Sequence, residues 1–218
     1  VIPLGLQPIL DFTVEATHCY ESGGVIHHNS SKSLSLAYAV TCWLTGEYPD
    51  WWTGRRFPGK TDIWIAGQTG KLVRDSLQRY LIGTRENPHM GMLRPEQVKS
   101  ITWVPRPEGL AEKFHVEHVG GGQSICNVKS FDMERKSFQS GTIDVFAFDE
   151  EPNAGIYTEA MTRTATRRGL VVGAFTALEG VTPLVAMLAP QFAGGEVEDP
   201  DESGKKNIFI GWDDIPYS

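Results

Sequence analysis

Two acidic residues, and a lysine beside a hydroxyl, hold most of the chemistry this sequence can offer. The stretch "VFAFDEE" is a continuous apolar run that ends in Asp149 and Glu150. In an open α/β sheet, ligands bind at the carboxyl ends of the strands. An acid placed there can hold a magnesium ion through water, and a second can orient or deprotonate a water attacking a γ-phosphate. The plainer alternative is a pair of solvated acids where the strand leaves the core.

A second stretch sharpens the choice. "SSKS" (Ser30 to Ser33) matches the end of the phosphate-binding pattern G-x-x-x-x-G-K-[ST], but Ile26 stands where the first glycine belongs and Ser31 where the second does. At the start of a helix, backbone N–H groups face phosphate oxygens. Lys32 can then neutralise the β/γ-phosphates and Ser33 can ligate magnesium. Such a tetrapeptide is also common in ordinary surface turns. Its weight comes from lying one helix before a strand, with the acid-ended strand later in the same sheet. Thr176, in "FTALEG", follows the next apolar strand, and its hydroxyl can sit near a γ-phosphate or merely end a strand. The Gly120 to Gly122 triplet has no following helix or lysine and reads as a hairpin turn. Arg163, Arg167 and Arg168 could act on phosphate or touch DNA; we read them as an exposed helix end. Asp213 and Asp214 are neighbours at a strand end, so they point to opposite sides and do not suit one metal.

The elements that must position these residues follow from periodicity. "KSLSLAYAVTCWL" keeps apolar residues at helical spacing and stops before Gly46. "DIWIAG" reads as a buried strand, followed by a helix through "KLVRDSLQRYLIG". "SITWVP" is a further strand, and "KFHVEHVGGGQSICNVKSF" a hairpin. "IDVFAFDEE" is a strand, "AGIYTEAMTRTAT" a helix, "GLVVGAFTAL" another buried strand and "TPLVAMLA" a short helix. Buried strands separated by helices predict an α/β fold around a mainly parallel sheet flanked by helices.

Composition narrows the class. The 218 residues are 40% hydrophobic with 10 Phe and 6 Trp, enough for one substantial core. No apolar run is long enough for a membrane-spanning helix, and no signal-peptide pattern opens the chain, so no membrane partner and a cytoplasmic location are expected. Cys19, Cys42 and Cys126 are odd in number and show no C-x-x-C spacing; no disulfide framework is expected. The net charge of -7 argues against a general electrostatic grip on nucleic acid but allows a local basic track. The acidic run "GGEVEDPDESGKK" reads as a flexible connection or exposed insertion.

From Ser31 onward the chain resembles the ATPase domain of the large terminase subunit of tailed bacteriophages. The stretches "SSKSLSLAYAVTCWLTGEYPDWWTGRRF", "IWIAGQT", "GGGQSICNVKSFDMERKSFQSGTIDVFAFDEEP" and "FTALEG" carry the resemblance and come in the family's order. It implies a P-loop NTPase sheet and the cofactors ATP and Mg2+. Ser31, Lys32 and Ser33 would hold nucleotide and metal, Asp149 would coordinate magnesium, Glu150 would activate water, and Thr176 would couple hydrolysis to DNA movement. The implied partners are double-stranded DNA, the portal protein and the small terminase subunit, in the cytoplasm of an infected bacterial host. Ser31 departs from the loop's glycine.

The first 29 residues resemble the C-terminal end of an intein: "DFTVEATHCYESGGVIHHN" followed by Ser30. By that resemblance the Asn29 amide attacks its own carbonyl, with His28 polarising that carbonyl or protonating the amine. His18 assists, Ser30 is the nucleophile of the downstream segment, and Asp11 organises earlier acyl-shift steps. A metal site of His18, Cys19, His27 and His28 is the alternative, but the spacing suits no zinc pattern.

The implied organisation is an intein segment at 1–29 forming a short β-rich remnant, a terminase-like P-loop ATPase domain at 30–193 incomplete at its N-terminus, and a linker or following subdomain at 194–218. An upstream segment ending in G-x-x-x, joined at Ser30, would complete the loop, and the upstream intein half would be a partner. The isolated chain is then a fragment expected to have weak or no ATPase activity and no nuclease activity. Two other readings remain: a split-intein half carrying ATPase cargo, and another helicase-like P-loop ATPase.

Overall fold

The computed structural model describes residues 19–22, 25–28, 31–133, 138, 141–175 and 182–188. The chain divides into two units, one spanning Lys32–Thr176 and the other formed by Val1–Ser31 with Ala177–Ser218. In the second unit, β1 (Cys19–Ser22) pairs antiparallel with β2 (Val25–His28), with Cys19 opposite His28 and Ser22 opposite Val25. Its other described element is the short helix α5 (Pro183–Leu188).

The first helix is α1 (Ser31–Thr45), which belongs to the larger unit from Lys32 onward. Leu36, Ala37, Val40, Trp43 and Leu44 are its buried stripe, while Leu34 and Tyr38 remain exposed. The helix ends where Gly46, at φ 73°, donates its N–H to the Cys42 carbonyl at 2.9 Å. Only glycine adopts that left-handed backbone without a steric cost.

Next come β3 (Asp62–Gly67), α2 (Gly70–Val73) and α3 (Arg79–Ile82), the two helices joined through a π-helical turn at Arg74–Gln78. The wider turn carries buried Gln78, whose amide donates to Gly109 O and accepts from Ala111 N–H, both at 2.8 Å. The strands β4 (Val98–Trp103), β5 (Ala111–Glu117) and β6 (Gln123–Ser130) precede β7 (Val145–Asp149), α4 (Ala154–Ala165) and β8 (Leu170–Ala174).

Six strands form one sheet in the order β4-β5-β6-β3-β7-β8. β3 lies parallel to both β6 and β7, and β7 is parallel to β8; β4-β5 and β5-β6 are antiparallel. The sheet is mixed and mostly parallel, as expected. The glycine triplet does turn a hairpin, with Gly121 and Gly122 at φ 93° and 80°.

Alternation along the central strands explains their continuous apolar runs. Ile63, Ile65, Val145 and Ala147 face one core with α1, Val73, Leu77, Leu81 and Ile82; Trp64, Ala66, Phe146 and Phe148 face another with Phe138 and α4's Ile156 and Ala160. A strand covered on both faces has no polar side to display. β8 differs from the sequence expectation of another buried strand. It is the last strand of the sheet and mostly half-buried, because only β7 pairs with it among the described residues. Cys42 and Cys126 are buried free thiols.

Candidate nucleotide site

A hydrogen bond joins the first turn of α1 to the end of β7. Ser33 Oγ donates to Asp149 Oδ1 at 2.8 Å, joining residues 116 apart in sequence. Asp149 is the last residue of a wholly buried strand and is itself 8% exposed.

Glu150 follows at φ 73°, a left-handed backbone uncommon for any residue but glycine. Its N–H donates to Ala174 O at 3.0 Å, so the turn out of β7 is anchored on the end of β8. Strain of this kind persists where surrounding structure overrides it, and it clusters at functional sites. The turn leaves Asp149 buried and Glu150 at the surface. The Glu150 carboxyl titrates above its ordinary value, chiefly from partial burial and then from the Asp149 charge, with Lys32 pulling it back down. Lys32, Ser33, Asp149 and Glu150 therefore act on one another at the carboxyl end of the sheet.

Aromatic packing holds the neighbouring strand end. The Phe148 ring stacks on Phe175 at 6.0 Å and meets Tyr157 edge-on at 6.3 Å. A Cβ built on Gly173 would come within 2.1 Å of the Phe148 ring, so glycine lets the ring lie across β8. At the other end of the sheet, Asp144 accepts from Asp62 N–H and from Arg167 Nη1, both at 2.8 Å, an anchor that the motifs do not announce.

Of the residues singled out from sequence, Ser31 begins α1. His28 closes β2. Thr176, Asp11, His18, Asn29, Ser30, Asp213 and Asp214 lie outside the described residues. The three arginines have different surroundings. Arg163 is half-buried and bonded to Glu159 at 2.5 Å, Arg167 pairs with Asp144, and Arg168 is exposed at φ 49°. A uniform exposed helix end is thus corrected for Arg163, which the spacing to Glu159 one turn earlier draws inward.

The donor set suits magnesium and nucleotide. Magnesium is bound by oxygen, commonly through one or two carboxylates, substrate phosphates and retained waters; a hydroxyl and a carboxylate already converge here. Among the described residues no group of three or more His, Cys, Asp or Glu could hold a metal by itself. The start of a helix, with a lysine in its first turn, suits phosphate.

Over 195 residues the chain is 32% identical to a protein named "Terminase, large subunit" from Salmonella phage P22, covering 79% of this chain and 39% of that protein. That match shows homology to a phage terminase large subunit, and the chain spans about two fifths of that relative's length. Among solved structures, the large terminase of a thermophilic bacteriophage is similar at 15% identity and a TM-score of 0.38, covering 53% of this chain and 26% of that one. No family model matches. Among the described residues no helix is long and apolar enough to cross a membrane.

Proposed function

We propose that residues 30–193 are the nucleotide-hydrolysing part of a motor that packages double-stranded phage DNA. The observation that carries this reading is the Ser33–Asp149 hydrogen bond, which joins the two halves of a nucleotide site across 116 residues. When bound, Mg2+ and ATP supply charge neutralisation and the phosphoryl group to be transferred.

The residues divide the work. Lys32 brings a positive charge to a helix start whose first N–H groups have no acceptors within the helix. Ser33 and Asp149 offer adjacent oxygens to the metal. Glu150 orients the attacking water and takes its proton, and its raised pKa makes it a stronger base than an ordinary exposed glutamate. Thr176 is proposed to sense the γ-phosphate and couple it to DNA movement. The portal protein and the small terminase subunit are the proposed partners, in the host cytoplasm.

Residues 1–29 are proposed to be the C-terminal segment of an intein. In support, the β1–β2 register sets Cys19, the residue after His18, opposite His28, the residue before Asn29. Self-cleavage after Asn29 is the expected reaction, and its loss in N29A by mass spectrometry is the test.

For the motor, the test is ATP turnover by the spliced protein, in which an upstream segment ending in G-x-x-x is joined to Ser30. Glu150→Gln is expected to lower turnover at least about a hundredfold, the usual contribution of a positioned base. Equal turnover by E150Q and the parent would refute the assignment.

A further inference from the structure

Away from the acid pair, the stretch "PDWWTGRRF" builds an exposed aromatic and basic face. Trp51, 66% exposed, stacks on Tyr38 of α1 with ring centres 6.0 Å apart and planes 17° from parallel. Trp52 lies beside it at 6.2 Å. The Trp52 and Trp43 indole N–H groups both donate to Arg55 O at 3.2 Å, tying the loop to the core. The Arg55 guanidinium lies 4.8 Å over Phe57 and donates to Arg168 O, which brings the α4 end to the loop. The Arg56 guanidinium lies 5.3 Å over Tyr48 and donates to Trp52 O at 3.2 Å.

Arg55, Arg56 and Arg168 are all exposed, and among the described residues none has a carboxylate partner. In a chain with net charge -7, three exposed guanidinium groups without a carboxylate partner among the described residues, against one exposed acid in the same stretch (Asp50), make a local excess of positive charge beside a pre-ordered indole. The chemistry that meets both features is a polyanion with accessible flat rings. Stacking on aromatic side chains tolerates any base, and arginine adds charge and cation–π contact. Duplex bases are already stacked on one another, so an unpaired strand satisfies the indole better.

We infer that this face binds single-stranded DNA, with a base on Trp51 and the backbone phosphates on Arg55, Arg56 and Arg168. The choice of DNA over RNA rests on the function proposed above; the choice of an unpaired strand rests on the face itself.

The test is fluorescence anisotropy of a labelled oligothymidylate titrated with the 218-residue chain, without ATP or magnesium. Success or failure here is therefore independent of nucleotide hydrolysis. Log affinity should fall with log salt at a slope of about -1.4 to -2.1 if two or three phosphates are neutralised. W51A should weaken binding about five- to hundredfold, whereas W51F should keep most of it. R168Q removes a guanidinium but keeps the carbonyl that anchors Arg55, and should flatten the salt slope by about 0.7. The inference is overturned if W51A binds like the parent while unfolding at the parent's temperature. It is equally overturned if a blunt duplex of the same length competes as well as the single strand, or if oligouridylate binds more tightly than oligothymidylate.

Discussion

Removing the Ser33 hydroxyl tests the link on which the site depends. In S33A, Asp149 loses a 2.8 Å donor at a position only 8% exposed, where water replaces the bond poorly. Hydrogen bonds to charged groups contribute about 1.5–3 kcal/mol, and because Ser33 is half-buried the lower end applies, about 1.5 kcal/mol. For a chain of this size each kcal/mol moves the unfolding midpoint by about 2–4 °C, so S33A should melt about 3–6 °C lower. D149A removes the acceptor, and the S33A/D149A double variant closes a thermodynamic cycle. Urea unfolding of the four proteins should give a coupling of about 1 kcal/mol or more, since the second substitution cannot break a bond already lost. D149N keeps Oδ1 as an acceptor and should retain part of that coupling. Additivity of S33A and D149A to within about 0.3 kcal/mol would show that the two side chains do not interact, and the site would lose its central contact.

Glu150 supplies a prediction in pH. Its carboxyl titrates above the usual value, so the folded state binds its proton more tightly than the unfolded chain does. Stability attributable to this residue is therefore lost as pH rises from the ordinary carboxylate range through the raised value. E150Q cannot ionise; its stability relative to the parent should be near zero in acid and positive at neutral pH. Solvent screening of the exposed side chain limits the gain to under about 1 kcal/mol. Paired urea titrations at the two pH values check this, and a gain largest in acid would contradict it. Gly173→Ala should destabilise by about 1–3 kcal/mol, since its Cβ would lie 2.1 Å from the Phe148 ring, and calorimetry would show no such loss if the ring moves freely. Gly46→Ala combines a left-handed backbone, costing about 1–2 kcal/mol, with a Cβ 2.5 Å from His118 Cε1. It should be among the most damaging alanine substitutions, and an unchanged melting temperature would refute that.

The local elements were legible because their causes are local. The apolar spacing of α1 and the glycine after it, the glycine triplet of the β5–β6 hairpin, and the apolar run of β7 ending in two acids can each be read within a dozen residues. The chemistry proposed for Lys32, Ser33, Asp149 and Glu150 likewise rests on residue type and spacing. The π turn at Arg74–Gln78 could not, since it accompanies Gln78 reaching Gly109 and Ala111 in a different element. The basic face was not legible for a similar reason: the Arg55 guanidinium meets the Arg168 carbonyl only through the fold.

By itself, then, the sequence determined where most of the described helices and strands lie and which side chains are candidates to serve a nucleotide, because backbone preference and side-chain chemistry belong to each residue and its near neighbours. Tertiary structure alone decided that β3 lies between β6 and β7, that β8 sits half-buried beside β7, that Glu150 takes φ 73°, and that Ser33 reaches Asp149. Those outcomes depend on which surfaces are buried together, and burial is settled by the whole core at once.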